Sequence, residues 1–255
     1  MQIYVCVKHV PDTAANIKVT EPAGFDETVK FVVNPYDEYG LEEALRIVAG
    51  SGGGEVVVVT VGKESALGTI RTALAMGATR GILVKTDKQF LDAAVTARAL
   101  QAAIRQDGEP DLIFSGKQSV DSEGMQTPYR LAAAFDMPVV TEVVNVELGD
   151  GRALVESEAG GGIREVVEVR TPCVLGATKG LNEPRYPKLP DILKAKKKEV
   201  KQFELADLGI ADASGKTEIL ELAQVPERSG ATMLEGGPRE ASEKLVSILK
   251  GEKVI

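Results

Sequence analysis

The sequence predicts an α/β protein built on an open, mostly parallel sheet with helices on both faces. One observation is that strand-like apolar runs alternate with amphipathic helical segments four times before residue 138. Such alternation indicates crossover units, which place successive strands parallel to one another. The other is the segment at residues 55–61, which is nearly continuous in valine. Strands that are buried on both faces have this composition, so we expect a doubly wound fold.

Each element before residue 138 has local signals of its own. The first helix is predicted to begin at Pro35, because proline suits the first helical position and Asn34 is a good N-cap. Gly77 is predicted as a helix C-cap, and Pro110 blocks the continuation of a later helix. The predicted strands are residues 3–7, 55–61, 81–84 and 112–114. A hairpin-like excursion is predicted at 15–33. The predicted helices cover residues 35–48, 63–76, 92–106 and 125–135.

Beyond residue 138 the pattern changes to an antiparallel one. Alternating apolar residues predict a small meander of strands at 139–147, 153–158 and 163–170. The triple glycine at 160–162 precedes no helix, so it is interpreted as a hairpin turn rather than a phosphate loop. Residues 174–177 are expected to return to the main sheet.

At residue 181 the composition changes again. Three prolines in ten residues predict a stiff, extended loop that holds Leu189 between Lys188 and Pro190. An apolar side chain on a stiff loop loses little entropy on docking, which suits a protein anchor. The basic run at 194–198 is interpreted as a solvated helix face. The predicted organisation is an α/β domain at residues 1–190 and an extended C-terminal arm at 191–255, with one helix at 238–249, that packs on another surface.

Composition and charge exclude several classes of function. The 255 residues are 44% apolar and carry a net charge of −8, which argues against a nucleic-acid partner. No apolar run approaches the length that spans a bilayer. The first residues enter a strand without a basic leader, so a cytoplasmic location is expected. The two cysteines, Cys6 and Cys173, lie in apolar runs and are interpreted as core residues, and the single histidine, His9, is interpreted as structural rather than catalytic.

The stretch from Asp111 to Thr127 is the candidate site. A buried strand ends in a polar loop at Gly116, and the chain then restarts as a helix. In open α/β sheets this arrangement often cradles a phosphate, because loop amides and the helix dipole favour an anion. The loop is not a Walker A motif, because Lys117 is followed by neither Ser nor Thr. A nucleotide site and an ordinary strand–helix loop both remain open. The neutral donors are Gln118, Ser119, Ser122, Gln126 and Thr127, and the acceptors are Asp121 and Glu123.

Several runs of the chain resemble the beta subunit of electron transfer flavoprotein. The most specific is residues 181–198, Leu-Asn-Glu-Pro-Arg-Tyr followed by Leu-Pro-Asp-Ile-Leu-Lys-Ala-Lys-Lys-Lys. The others are Asn-Pro-Tyr at 34–36, Thr-Ala-Leu-Ala-Met-Gly-Ala at 72–78, Gly-Lys-Gln at 116–118 and Gln-Thr at 126–127. The matches fall in order along nearly the whole chain. The resemblance implies a heterodimer with an alpha subunit that carries FAD.

The resemblance also implies which residues bind. The family's docking loop, which receives acyl-CoA dehydrogenase-type donors, corresponds to Leu181, Asn182, Glu183, Pro184, Arg185, Tyr186, Leu189 and Pro190. The implied acceptor is an electron transfer flavoprotein–quinone oxidoreductase. The family's AMP pocket corresponds to Cys6, Asn34, Pro35, Tyr36, Asp37, Val61, Gly116, Lys117, Gln118, Ser119, Val120, Asp121, Ser122, Glu123, Gly124, Met125, Gln126 and Thr127.

Three functional hypotheses follow. The first is a non-catalytic electron-carrier subunit with structural AMP, since the sequence shows no paired carboxylates, catalytic triad or metal set. The second is a flavin-bifurcating subunit, in which a second FAD replaces AMP and oxidises NADH. The third is a nucleotide-binding enzyme of the same α/β class.

Overall fold

The computed structural model describes residues 1–20, 22–210, 215–224 and 230–255. The parts of the predicted irregular tail at 211–214 and 225–229 lie outside this description. The helices are α1 (Pro35–Gly50), α2 (Leu67–Met76), α3 (Ala93–Asp107), α4 (Thr127–Phe135), α5 (Leu189–Ala195) and α6 (Pro238–Gly251). The strands are β1 (Gln2–Cys6), β2 (His9–Pro11), β3 (Val19–Thr20), β4 (Gly24–Phe25), β5 (Phe31–Val33), β6 (Glu55–Gly62), β7 (Arg80–Lys85), β8 (Leu112–Gly116), β9 (Val139–Gly149), β10 (Arg152–Gly160), β11 (Ile163–Arg170), β12 (Cys173–Ala177) and β13 (Val200–Glu204).

Nine of the described strands form one sheet in the order β11-β10-β9-β12-β8-β1-β6-β7-β13. Each pair of adjacent strands from β9 through β12, β8, β1, β6 and β7 to β13 is parallel. Strand β10 runs antiparallel to both of its neighbours, β9 and β11. From β1 the chain adds β6 and β7 on one side and then crosses back to add β8 on the other. Strand β1 is therefore the topological switch point, and the predicted open α/β fold is confirmed.

The apolar residues of the sheet divide into two cores, one on each face. Leu41 of α1 and Ile70 of α2 pack in one core with Phe114 of β8. Leu100 of α3 and Leu131 of α4 pack in the other. Buried valines of the central strand β6 alternate between the two, because successive side chains of a strand point to opposite faces. Helices thus cover both faces, as the near-continuous valine run predicts.

The antiparallel strands extend the main sheet. Val174 and Leu175 of β12 pair in parallel with Val139 and Val140 of β9, so β9, β10 and β11 extend the large sheet at one edge. The separate two-stranded antiparallel sheets of the described residues are β2 with β5 and β3 with β4. Strands β3, β4 and β5 lie inside the predicted excursion at 15–33, whereas β2 precedes it.

Strand β13 was not predicted, because Val200–Glu204 is a largely polar edge strand in which no residue is fully buried. It pairs with β7 and so keeps the chain in the sheet beyond residue 190. The chain divides into two compact units, Met1–Leu222 and Ala223–Ile255. The second unit contains α6, where a helix was predicted.

The basic run is only partly a solvated helix face. Helix α5 ends at Ala195. Beyond it, Lys198 donates from its ammonium to the carbonyl oxygens of Leu74 (2.9 Å) and Ala78 (2.5 Å), at the end of α2. In return, Arg71 of α2 donates to the carbonyl oxygens of Ala195 and Lys198. These contacts hold α5 on the body of the protein.

Cys6 and Cys173 are buried and unpaired, as predicted for core residues. Burial raises the pKa of both thiols. None of the helices described above combines the length and the apolar composition that a membrane span requires.

Candidate functional site

The predicted site residues lie at the carboxyl edge of the sheet, around the switch point. Strands β1, β6, β8 and β12 are parallel neighbours and end there. Register places Cys6 of β1 opposite Val59 of β6, and Gly116 of β8 opposite Ala177 of β12. The loop after β8 and the first turn of α1 meet at this edge. Ligands of open α/β sheets bind at such a place.

Asp37 joins three parts of the site. Its carboxylate oxygens accept hydrogen bonds from the amide of Lys8, after β1, and from the amide of Gly116, at the end of β8, each at 2.7 Å. The residue is buried. Burial raises the pKa of Asp37 to about 7, although the hydrogen bonds from the two amides act in the opposite direction. The carboxylate therefore connects the ends of β1 and β8 to the start of α1.

Gly116 is required by close approach rather than by an unusual backbone angle. A Cβ atom at this position would lie 2.6 Å from Oδ1 of Asp37 and 2.6 Å from Cβ of Tyr36. Both distances are shorter than van der Waals contact. Only glycine allows β8 to pass this close to the first turn of α1.

Asn34 occupies the predicted N-cap position, but the predicted capping role of its side chain is wrong. No side-chain capping bond is formed at this helix start. The amide nitrogen of Asn34 instead donates to the carbonyl oxygen of Gln118 (2.9 Å), and its oxygen accepts from the amide of Val120 (3.1 Å). Because both groups belong to the loop after β8, Asn34 fixes the backbone of that loop. Local sequence patterns cannot distinguish an asparagine that caps its own helix from one that forms hydrogen bonds to a distant loop.

Lys8 is a site residue that the sequence analysis missed. Its ammonium lies 2.7 Å from Oδ1 of Asp121 and 3.2 Å from each hydroxyl oxygen of Ser119 and Ser122. The two hydroxyl oxygens are 2.9 Å apart. The available signal was the position of Lys8 just after the carboxyl end of β1, where ligands of open α/β sheets bind.

Lys117 is directed away from these serines. Its ammonium pairs with both carboxylate oxygens of Glu142, at 2.9 and 3.1 Å, and lies 5.4 Å from the ring centroid of Tyr36. Glu142 has a φ of 55°, in β9 where the pairing with β12 shifts register. This left-handed conformation is rare for a non-glycine residue. Glu142 was not predicted, because only the irregular pairing of β9 brings it beside the loop.

The helix after the loop begins slightly later than predicted. Helix α4 begins at Thr127 rather than near Met125. Glu123 and Met125 have φ values of 48° and 52°, which an α-helix does not allow. Leu131, Ala132 and Phe135 form the buried face of α4. Gln126 accepts from the guanidinium of Arg130 through its side-chain oxygen.

The predicted docking loop is fixed to α1. The guanidinium of Arg185 donates to both carboxylate oxygens of Glu42, at 2.7 and 2.9 Å. Asn182 donates to the carbonyl oxygen of Tyr39 and to the carboxylate of Glu43, each at 2.9 Å. Burial works to raise the pKa of Glu42, but hydrogen bonds from Arg185 outweigh burial and hold the pKa below its ordinary value.

Two large apolar side chains of this loop are exposed, among charged residues that are also exposed. Tyr186 is 93% exposed and Leu189 is 70% exposed. Leu193, on the following helix, is also exposed. The expectation that Leu189 lies within an extended loop is wrong, because it is the first residue of α5 and Pro190 is the second. Proline suits the first turn of a helix, since its missing N–H has no acceptor there. The backbone position of Leu189 is thus fixed by the start of helix α5.

His9 has structural contacts, as interpreted. Its Nδ1 lies 2.7 Å from the hydroxyl oxygen of Thr69 in α2. Its ring stacks on Phe31 with a centroid distance of 4.2 Å. Burial lowers the pKa of His9, which favours the neutral ring.

The fold and the site place this chain among the doubly wound α/β proteins whose loops converge at a switch point. The family model described as "Electron transfer flavoprotein domain" matches residues 24–208. The chain is 37% identical over 250 residues to the electron transfer flavoprotein subunit beta of Syntrophomonas wolfei, covering 98% of this chain and 96% of that protein. It is 36% identical over 260 residues to that of Bacillus subtilis, covering 100% of both chains. It is 38% identical over 256 residues to the mitochondrial subunit beta of Arabidopsis thaliana, covering 99% and 98%. The chain belongs to the electron transfer flavoprotein family and matches its beta subunits over their full length.

Proposed function

We propose that this chain is the beta subunit of a heterodimeric electron carrier, that it holds AMP at the carboxyl edge of its sheet, and that its alpha subunit carries FAD. The names of its relatives describe an electron-transfer subunit and no catalytic activity. The observation that carries the proposal is the loop after β8. Asp37 and Asn34 hold its backbone, and Lys8 contacts its side chains.

The chemistry of the loop fits a nucleotide phosphate. The amides of Ser119, Asp121 and Ser122 donate to no protein acceptor within the described ranges. Together with the hydroxyl groups of Ser119 and Ser122, they are neutral donors of the kind that bind phosphate oxygens. Bound AMP would supply no redox chemistry. It would stabilise the folded chain by mass action, because it binds only the assembled site.

The docking loop fits brief contact with redox partners. An electron carrier must release its donor before it meets its acceptor, so a small apolar contact suits it better than a large interface. Tyr186, Leu189 and Leu193 present such a contact, and the Arg185–Glu42 pair keeps it in place. Acyl-CoA dehydrogenase-type enzymes are the proposed donors, and a quinone oxidoreductase is the proposed acceptor.

The cofactor content of the purified heterodimer tests this proposal. We expect one FAD and one AMP per heterodimer, measured from the flavin spectrum and by mass spectrometry of the released nucleotides. Two FAD per heterodimer, no AMP and rapid oxidation of NADH would instead support the bifurcating subunit. Turnover of ATP by the chain alone, without a flavin partner, would support the nucleotide-binding enzyme.

Leu189→Ala tests the docking contact. We expect kcat/KM for electron transfer from the donor dehydrogenase to fall roughly tenfold, because an exposed apolar anchor is lost from the centre of a small interface. Flavin content and heterodimer assembly should not change. Ile163→Ala is the matched control, because Ile163 is an apolar residue of β11 with 63% exposure. An unchanged rate in Leu189→Ala would contradict the docking role.

A further inference from the structure

The loop after β8 carries acidic side chains that oppose the binding of a phosphate group. Asp121 and Glu123 are both acidic and exposed. Lys117, the cation inside the loop, pairs with Glu142 on β9. Arg130, one turn into α4, donates through its guanidinium to the side-chain oxygen of Gln126. Within the loop itself, the acidic residues are thus offset by no unpaired lysine, so a cation from outside the loop would favour phosphate binding.

Lys8 is in the right position to supply it. Its backbone belongs to the Asp37 junction, since its amide donates to Asp37 and its carbonyl oxygen accepts from the amide of Asn34 at 3.0 Å. Because the backbone of Lys8 is held in this way, its ammonium group contacts the side chains of Ser119, Asp121 and Ser122. The ion pair with Asp121, at 2.7 Å, cancels a negative charge that would otherwise repel a phosphate.

Lys8 also determines how the serine hydroxyl groups are oriented. An ammonium group has only donors, so the oxygen atoms of Ser119 and Ser122 must accept from Lys8. Their hydroxyl protons then point elsewhere. One proton forms the bond between the two serines, and the other is used by none of these contacts. The loop thus presents a hydroxyl donor whose oxygen is polarised by a cation, and charge-assisted hydrogen bonds are stronger than neutral ones.

We propose that Lys8 makes the segment Ser119–Ser122 an anion site, by neutralising Asp121 and by turning a serine hydroxyl towards the phosphate of the bound nucleotide. This inference rests on the proposed function and adds a positioning residue from outside the loop. Lys8 acts through Asp121 and the two serines, and the recognised group is a phosphate monoester.

Binding of AMP and adenosine to Lys8→Met tests the inference. The protein is the full-length chain, purified with its partner subunit and freed of nucleotide, and calorimetry measures both affinities. We expect the affinity for AMP to fall ten- to one hundredfold, the range of a charge-assisted hydrogen bond. The affinity for adenosine should stay within about twofold of wild type, because adenosine has no phosphate. A general loosening of the loop would lower the affinities for both AMP and adenosine, and that result would overturn the inference.

Two further variants complete the test. Lys30→Met is the matched control, because Lys30 forms a similar pair with Asp12 at 2.9 Å, and its AMP affinity should equal that of wild type. Lys8→Met with Asp121→Asn should bind AMP more tightly than Lys8→Met alone, because the uncompensated carboxylate is gone. If Lys8→Met binds AMP like wild type, the inference is wrong while the proposed AMP site stands. If wild type binds neither AMP nor adenosine, the proposed function fails, and the inference fails with it.

Discussion

Gly116→Ala is expected to lower the free energy of unfolding by about 2–3 kcal/mol, the cost of overpacking a tight site, and to abolish retention of the nucleotide. The new methyl group would lie 2.6 Å from both Oδ1 of Asp37 and Cβ of Tyr36. The end of β8 and the start of α1 must then separate. This separation breaks the hydrogen bond between the amide of Gly116 and Asp37, and it moves the loop that Asn34 holds.

Chemical denaturation measures the loss of stability, and mass spectrometry of the purified chain measures the nucleotide. Gly68→Ala is the control, because Gly68 is an exposed residue of α2 with no atom within 4 Å of its added Cβ. Alanine is favoured over glycine inside a helix by about 1 kcal/mol, so the control should be at least as stable as wild type. Normal AMP retention in Gly116→Ala would show that the close approach is not needed for binding.

Asp107→Ala is expected to destabilise the protein by about 3 kcal/mol without weakening the nucleotide site. The carboxylate of Asp107 is fully buried and accepts from the hydroxyl of Tyr4 (2.8 Å) and from the ammonium of Lys201 (2.6 Å). The guanidinium of Arg80 also pairs with it at 2.7 Å. Removing one member of a buried ion pair leaves the other charge without compensation, which costs a few kcal/mol. The cluster connects β1, β7, β13 and α3 near the amino ends of the parallel strands, on the side of the sheet away from the loops of the candidate site.

The pH dependence of stability gives a second measurement on Asp107. Burial would raise the pKa of Asp107, but hydrogen bonds from Lys201, Arg80 and Tyr4 outweigh burial and hold the pKa below its ordinary value. A carboxyl whose pKa is lowered by folding stabilises the protein above its unfolded pKa, and this contribution disappears as the pH falls through the folded pKa. We therefore expect wild type to lose more stability than Asp107→Ala on acidification below pH about 4.

Two results would contradict this account of Asp107. One is equal stability of Asp107→Ala and wild type at neutral pH. The other is a loss no larger than that of Glu204→Ala, the control, in which a more exposed pair with Lys85, at the carboxyl ends of the same two strands, β13 and β7, is removed. Exposed pairs are screened by water and contribute little. AMP affinity, measured on the folded variant, should match wild type, because Asp107 lies at the end of α3 away from the nucleotide loop.

The fold around the candidate site shows where sequence reasoning succeeds. Gly116 and Asp37 lie in the predicted stretches, because a strand that ends in a polar loop before a helix follows from hydrophobic periodicity alone. The structure joins these two residues by a hydrogen bond. Lys8, in contrast, is 111 residues from Ser119 in sequence. Its contact depends on β1 and β8 being neighbours, which local patterns do not specify.

Asn34 and Leu189 show a different limit. Their neighbours in sequence correctly indicated a helix start and a proline-stiffened segment. The chemical role of each side chain depended on its surroundings. Asn34 holds a distant loop instead of capping its own helix, and Leu189 begins α5 instead of lying in a loop. Strand β13 was missed because an edge strand with polar side chains has no periodic signal, and only pairing with β7 defines it.

The sequence by itself determined the open α/β fold, the order of most elements and the edge of the sheet where the candidate site residues meet. These features depend on hydrophobic periodicity and on the stereochemistry of proline and glycine, which act over a few residues. The tertiary structure alone decided that Lys8 rather than Lys117 contacts the serines, that Lys117 forms an ion pair with Glu142, and that Asp37 connects two strands to a helix. Each of these contacts joins residues far apart in sequence, and charges interact according to the distance that folding creates between them.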